Sequence, residues 1–406
     1  MDDIEIIQVN ISGEDRPGLI TDFTEILAKY DASLLDVGQA NIHESLALGL
    51  LILTTTGKSG FIMKDLMFKA SELGELIRFK PVSFEEYEAW AGRQGKNRYI
   101  VTLLSRKITA KDLSAVTRVI AAHGLNIDAI KRLSGRIPLH EDNPKTKSSI
   151  ELSVRGVLTE EQKHSLQQDL MEASGTQMDF SFQVDNIYRR SRRLICFDMD
   201  STLIGTEVID ELAQKAGVGD EVRAITASAM RGEIDFKESF TRRVALLKGL
   251  PESVMQDIAE HLPYNEGLER MMNILKIVGY KTAILSGGFT YFGKYLQNKF
   301  GFDFVYANDL EIVDGVLTGR YKGEIVDGRR KAELLRFLCS VENIQLEQAV
   351  AVGDGANDLP MLNLAGLGIA YHAKPLVKAN AHQSISTIGL DGILYFLGLK
   401  ESKIME

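Results

Sequence analysis

The chain has 406 residues, of which 45% are apolar and 25% charged, with a formal net charge of −9. That length suits two or three domains and that balance an ordinary soluble globular protein, while the acidic charge argues against general affinity for nucleic acid or an anionic membrane. No apolar run reaches the roughly 20 residues a bilayer span needs. The start, Met1-Asp2-Asp3-Ile4-Glu5, has neither a basic nor an apolar leader segment, and Cys196 and Cys339 form no CxxC pair. A reducing, cytoplasmic location is expected.

The first half repeats itself. A shift of 93 positions places Ile7 on Ile100, Ile11 on Leu104, Ile26-Leu27-Ala28 on Val119-Ile120-Ala121, Leu34 on Ile127 and Val37 on Ile130. In the first copy an apolar strand runs from Ile6 to Ile11. The turn cluster Asp15-Arg16-Pro17-Gly18 follows, then an amphipathic helix with Leu19, Phe23, Ile26 and Leu27 on one face. A further strand is expected from Ala47 to Thr54 and a second helix near Lys64 to Leu76. Each copy reads β-α-β-β-α-β, the ferredoxin-like plan. Strand, Asp15-Arg16-Pro17-Gly18-Leu19 and helix together resemble an ACT domain, a ligand-sensing module of amino-acid metabolism. The resemblance implies that Asp15, Arg16, Pro17 and Gly18 bind an amino acid, at an interface between two such modules. Glycine permits close backbone approach there, and a helix N-terminus favours a carboxylate. The second copy has Ile108-Thr109-Ala110-Lys111 at the matching positions, and its stretch from Ile137 to Ser148, with Pro138 and Pro144, is expected to form a long hairpin loop.

Next comes the basic run Arg189-Arg190-Ser191-Arg192-Arg193, expected to be a solvated linker. Leu194-Ile195-Cys196-Phe197 then reads as a parallel strand buried on both faces, ending in Asp198-Met199-Asp200-Ser201-Thr202. Two more apolar strands end in polar turns: Lys281 to Leu285 in Ser286-Gly287-Gly288, and Ala349 to Val352 in Gly353-Asp354-Gly355-Ala356-Asn357-Asp358. Helical stretches separate the three, which predicts a doubly wound, Rossmann-like α/β domain with its chemistry at the carboxyl edge of the sheet. Asp198, Asp200 and Asp354 are hard oxygen ligands of the kind Mg2+ takes. The Ser286 hydroxyl, the Gly287 and Gly288 N–H groups at a helix start, and Lys331 ahead of the apolar helix Ala332 to Leu338 can hold a phosphate. A carboxylate can then act as nucleophile.

DxDxT, Ser-Gly-Gly, Lys and GDGxND in that order resemble the haloacid-dehalogenase superfamily. The resemblance implies Asp198 as nucleophile and Asp200 as general acid and then base. It implies that Ser286 and Lys331 grip the transferring phosphoryl group, that Mg2+ lies on Asp198, Asp354 and the Asp200 carbonyl, and that Asn357 and Asp358 support this shell. Between Asp200 and Ser286, short helices are expected at Glu207 to Ala216, Asp220 to Arg231, Asp235 to Lys248 and Pro251 to Glu260, an insertion that serves as a substrate-selecting cap in this superfamily. Glu207 suits a substrate ammonium, Arg243 a carboxylate, and Met230 and Phe236 the sealing of a pocket. This pattern resembles phosphoserine phosphatases.

The expected layout is an ACT domain over 1–88, a second over 89–183, and a haloacid-dehalogenase core over 184–406 with a helical cap at about 205–270. The expected activity is Mg2+-dependent hydrolysis of O-phospho-L-serine through an aspartyl-phosphate, the last step of serine biosynthesis. It would be regulated by serine or another amino acid and carried out by a homodimer, with no nucleic-acid or membrane partner. Two alternatives stand beside it: a phosphatase for another small phospho-amino acid such as phosphohomoserine, and an amino-acid sensor with a vestigial phosphatase domain.

Overall fold

A computed structural model describes residues 4–92, 98–136, 145–175, 177–381 and 383–401. The chain forms two compact units, Met1–Lys96 and Asn97–Glu406.

In the first unit, β1 (Ile4–Glu14), α1 (Leu19–Lys29), β2 (Ser33–Ile42), β3 (Ser45–Thr55), α2 (Thr56–Leu73) and β4 (Leu76–Val82) build an antiparallel sheet in the order β2-β3-β1-β4. Alternate residues of β1, namely Ile7, Val9 and Ile11, point at one face of the sheet and pack with Phe23 and Leu27 of α1 and Ile62 and Leu66 of α2. A short helix, α3 (Phe84–Ala91), follows behind a capping box at Ser83 and Glu86. Helix α2 starts eight residues before the expected Lys64. Its buried stripe, Ile62, Leu66 and Ala70, is diluted in the sequence by exposed Phe61, Met67 and Phe68, which blurs the period. Leu76 belongs to β4, beyond Gly74, which ends the helix at φ 75°. Gly18 is the N-cap of α1 at φ 90°, a conformation that favours glycine. The neighbouring loop is tied internally: the Arg16 guanidinium donates to the Leu73 carbonyl at 3.2 Å, the Asp15 N–H donates to the Glu44 carbonyl at 2.7 Å, and Asn41 donates to the Asp15 carboxylate.

The second unit opens with the same plan: β5 (Arg98–Ser105), α4 (Ala110–Ala122), β6 (Asn126–Arg132), β7 (Ser148–Arg155), α5 (Glu160–Ser174) and β8 (Asp179–Val184), in the order β6-β7-β5-β8. Where the first copy uses Gly18, this one starts α4 with a capping box between Thr109 and Asp112. Of the expected hairpin loop, residues 137–144 lie outside the described residues. The basic run is solvated only in part: Arg190 and Arg193 are exposed. Arg189 and Arg192 are 5% and 4% exposed, because Arg189 pairs with Glu151 of β7 at 2.6 Å and Arg192 donates to Gln183 of β8 at 2.9 Å.

The rest of the unit runs β9 (Leu194–Phe197), α6 (Val208–Ala216), α7 (Gly219–Met230), α8 (Phe236–Ala245), α9 (Ser253–Glu260), α10 (Leu268–Ile277), β10 (Lys281–Phe289), α11 (Thr290–Phe300), β11 (Phe304–Val313), β12 (Val316–Lys322), α12 (Gly328–Val341), β13 (Ala349–Gly353), β14 (Leu367–Tyr371) and β15 (Gln383–Ile385). Its sheet order is β12-β11-β10-β9-β13-β14-β15, parallel except for β12, which returns as a hairpin on β11. β9 is central and buried on both faces: Ile195 and Phe197 enter one core cluster, Leu194 and Cys196 another that also holds Cys339. Both cysteines are free. Strand β8 of the preceding module lies against β15, where Phe182 and Gln383 exchange two hydrogen bonds of 2.9 and 2.8 Å and the buried Asp179 accepts from Ser386 and Thr387. Among the described residues, no helix is long and apolar enough to cross a membrane.

Candidate active site

The site forms where β9, β10 and β13 end side by side. Asp198 continues β9, and its N–H donates to the Val352 carbonyl of β13 at 2.9 Å. The chain then turns tightly: the Met199 carbonyl accepts from the N–H groups of Thr202, Leu203 and Ile204 at 3.3, 2.8 and 3.1 Å. Ser201 takes φ 58°, a left-handed conformation unusual for a serine, and its hydroxyl donates to Glu207 at 2.7 Å. The Asp200 carboxylate accepts from the Val208 N–H, at the start of α6, at 3.0 Å. The Thr202 hydroxyl reaches Asp354 at 3.1 Å. From α12, the fully buried Lys331 places its ammonium 2.7 Å from both Asp198 and Asp358. Asp358 also accepts from the Gly355 N–H at 2.9 Å, closing the turn after β13.

Carboxylate oxygens of Asp198, Asp354 and Asp358 all lie within 4.8 Å of one another. Three acids facing one lysine leave a buried excess of negative charge. Burial first, and then the neighbouring Asp358, pushes Asp198 well above the usual carboxylate range against the pull of Lys331. Burial and Glu207 do the same to Asp200, and burial with Asp358 and Glu207 raises Asp354 to about 7. A hard divalent cation among these oxygens would remove that excess, so the donor set fits one.

The structure brings together Asp198, Asp200, Ser286, Lys331, Asp354 and Asp358 as a single strand-end cluster. Asp358 stands inside the group of three close acids, whereas the Asp200 side chain turns to Val208. Gly287 and Gly288 are not at a helix start. The extended backbone runs on to Phe289, α11 begins at Thr290, and the Gly288 N–H is taken by the Ser286 oxygen at 2.9 Å, leaving the hydroxyl proton free to donate outward. A Cβ at Gly288 would overlap the Asp200 carboxylate and lie 3.2 Å from the Ser286 hydroxyl, so both groups face one point. Asn357 is half-buried in the turn Ala356–Asp358 after β13, its carbonyl against Gly328.

The cap is helical as expected. Phe236 starts α8 and reaches the Ser286 loop, where a Cβ at Gly287 would lie 3.1 Å from its ring. Arg243, on the same helix, is mostly buried; burial lowers its pKa, and Glu207, Asp210 and Asp200 are the acids that oppose this. Glu207, just before α6, is exposed apart from its bond to Ser201. Met230 closes α7, and its side chain lies outside the described residues. Asp15, Arg16, Pro17 and Gly18 belong to the first unit.

Sequence reasoning missed Asn308. Buried on β11, it donates to the Gly287 and Gly288 carbonyls at 2.9 and 3.2 Å and accepts from the Val326 N–H at 2.8 Å, fixing the Ser286 loop from behind. The available signal was a lone asparagine in the middle of a strand.

A haloacid dehalogenase-like hydrolase family model matches residues 195–363, and ACT domain models match residues 5–80 and 98–183. The phosphoserine phosphatase of Streptomyces coelicolor is 38% identical over 402 residues, covering 99% of this chain and 94% of that protein. That of Mycobacterium tuberculosis is 38% identical over 399 residues, covering 98% and 94%. Among solved structures, a haloacid-dehalogenase-family hydrolase of Salmonella enterica serovar Typhi superposes with a TM-score of 0.61 at 32% identity, covering 74% of this chain and 98% of that one. A probable phosphoserine phosphatase of Vibrio cholerae gives 0.57 at 34%, covering 75% and 87%. End-to-end likeness to such relatives and a site laid out on strand ends lead to one assignment: this chain belongs to the phosphoserine phosphatase family and is a phosphatase of haloacid-dehalogenase fold with two ACT domains.

Proposed function

We propose that the chain hydrolyses O-phospho-L-serine to L-serine and phosphate with Mg2+ as its metal, completing serine biosynthesis. The observation that carries this reading is the pairing of Asp198 with Lys331 at the end of β9, with Asp200 and Ser286 aimed at the same point and a cap bearing Arg243 and Glu207. Asp198, Asp354 and the Asp200 carbonyl, with Asp358 in support, would hold Mg2+, which would supply positive charge to phosphate oxygens and favour the ionised form of Asp198.

The remaining steps belong to side chains. The Asp198 carboxylate attacks phosphorus, a P–O bond forms, and the ester P–O bond breaks as Asp200 passes its proton to the serine alkoxide. Burial and Glu207 raise Asp200 above the usual carboxylate range, which favours the protonated form that step needs. Asp200, now a carboxylate, takes a proton from water, which attacks the aspartyl-phosphate and returns Asp198. Ser286, the Gly287 N–H, Lys331 and Asn357 hold the phosphoryl oxygens. Arg243 takes the substrate carboxylate and Glu207 its ammonium, while Phe236 and Met230 close the cap.

We extend the reading to the whole chain: domains at 1–88, 89–183 and 184–406, a homodimer in the cytoplasm, and serine or another amino acid bound at Asp15-Arg16-Pro17-Gly18. Support for that last point is the open space around Gly18, where an added Cβ meets nothing within 4 Å. Phosphate release from phosphoserine, phosphohomoserine and phosphoethanolamine, each with Mg2+ and with chelator, tests the main claim. Phosphoserine turned over fastest and only with metal is the expected result. Preference for phosphohomoserine would reassign the substrate, and no release from any ester would leave a sensor without catalysis.

A further inference from the structure

Between α9 and α10 the segment Pro263 to Gly267 does unusual duty. The Gly205 N–H donates to the Pro263 carbonyl at 2.7 Å, and the Asn265 N–H donates to the Leu203 carbonyl at 3.0 Å. The Asn265 side-chain amide donates to the Thr202 carbonyl at 2.8 Å and lies 3.4 Å from that of Ser201. These are braces on the loop that carries Asp200, and on Thr202, whose hydroxyl reaches Asp354. The loop needs them: three of its backbone bonds converge on the single Met199 carbonyl, the Ser201 N–H reaches the Thr206 carbonyl only at 3.3 Å, and Ser201 is held at φ 58°, a conformation that persists only where the surroundings over-determine it.

The next residue in the segment, Glu266, is gripped from the second ACT domain. Arg106, just past β5, donates two parallel hydrogen bonds of 2.8 and 2.6 Å to its carboxylate, the bidentate arrangement that fixes position as well as charge. The Glu266 carbonyl accepts from the Leu390 N–H at 2.7 Å. Lys147 of the same ACT domain lies 3.7 Å from Glu266 and 2.7 Å from the buried Asp391, which Arg270 of α10 also pairs at 2.8 Å.

We infer that Asn265 and Glu266 are positioning residues for the catalytic loop and that Arg106 sets their place, so that the second ACT domain holds Asp200 and Thr202 in working geometry. This goes beyond the residues assigned above, and its activity readout rests on the phosphoserine reading.

The test uses the full chain with Asn265→Ala, Arg106→Ala, Arg106→Lys and the double variant. Asn265→Ala is expected to lower kcat about 10–30-fold with KM for phosphoserine within about twofold, since small misplacements of reacting groups are costly while the cap contacts stay intact. Arg106→Ala should lower kcat by about fivefold, Arg106→Lys by less, and the double variant no further than Asn265→Ala alone, as expected of residues acting in one chain of contacts. Lys147→Ala, which leaves the bidentate pair in place, should lower the melting temperature and keep kcat. A readout independent of substrate is hydrogen exchange of peptides covering residues 199–206, which Arg106→Ala should speed. Multiplicative losses in the double variant, or unchanged kcat and unchanged exchange in Arg106→Ala, would reduce these contacts to a brace between domains and overturn the inference. Failure of the wild-type chain on phosphoserine would strike the substrate reading alone, and exchange would still decide this one.

Discussion

Lys331 has no exposed surface and faces two aspartates, so its ammonium is an internal counter-ion before it meets any substrate. Asp198→Asn therefore separates chemistry from stability. It should abolish turnover, because an amide cannot form the acyl-phosphate, yet leave metal-free melting unchanged or slightly raised, because Lys331 keeps Asp358 and a crowded negative charge is gone; circular-dichroism melts beside phosphate release check both halves. Asp354 supplies a pH test. Its folded value of about 7 stands above the unfolded 3.8, so the folded state holds the proton more tightly and the metal-free protein loses stability as pH rises from about 4 through 7. Mg2+ needs the ionised form, so the rise in melting temperature on adding Mg2+ should grow between about pH 5.5 and 8. A shift in melting temperature that ignores pH would place the cation elsewhere. The three strand-end residues Asp198, Asp200 and Asp354 were legible because no packing reason puts carboxylates after apolar strands. Asn308 was not, because its partners are backbone carbonyls that only the pairing of β10 with β11 brings near.

At the scale of elements, apolar strands announced themselves by continuity and the cap by its short amphipathic helices, while α2 hid its start because three of its large apolar residues, Phe61, Met67 and Phe68, face outward. Helix α8 places Phe236 over Gly287 and, seven residues on, Arg243 among the acids near Asp200. Arg243→Ala should raise KM for phosphoserine at least about 10-fold through loss of a charge-assisted contact, and should hurt phosphoethanolamine, which lacks the carboxylate, much less. Equal losses on both esters would show that Arg243 does not read the carboxylate. The basic run before β9 is the instructive failure of local reading: charge density suggested solvent, but Glu151, 38 residues upstream, draws Arg189 inside, and Gln183 on the neighbouring β8 draws in Arg192.

For the whole molecule, residues 1–96 form one compact unit, while the second ACT domain lies in one unit with the catalytic domain and shares buried polar contacts with it through Asp179 and Gln383. If the loop at Gly18 senses serine, deleting residues 1–96 should leave phosphatase activity and ordinary product inhibition but remove any further serine response, which for a coupling of about 1–3 kcal/mol changes apparent affinity about 5–150-fold. Serine titrations of the intact and shortened chains compare directly, and identical curves would make the first unit an assembly module.

The sheet order has a consequence in time. β9 finds one neighbour in β10, beyond the whole cap, and the other in β13, later still, whereas each ACT sheet closes within its own short stretch of chain. Closing long loops before pairing is slow. During synthesis the ACT sheets are complete while Asp198 is still an exposed end waiting for Lys331 and Asp358, so in refolding the N-terminal unit should regain protease resistance well before the first phosphate is released.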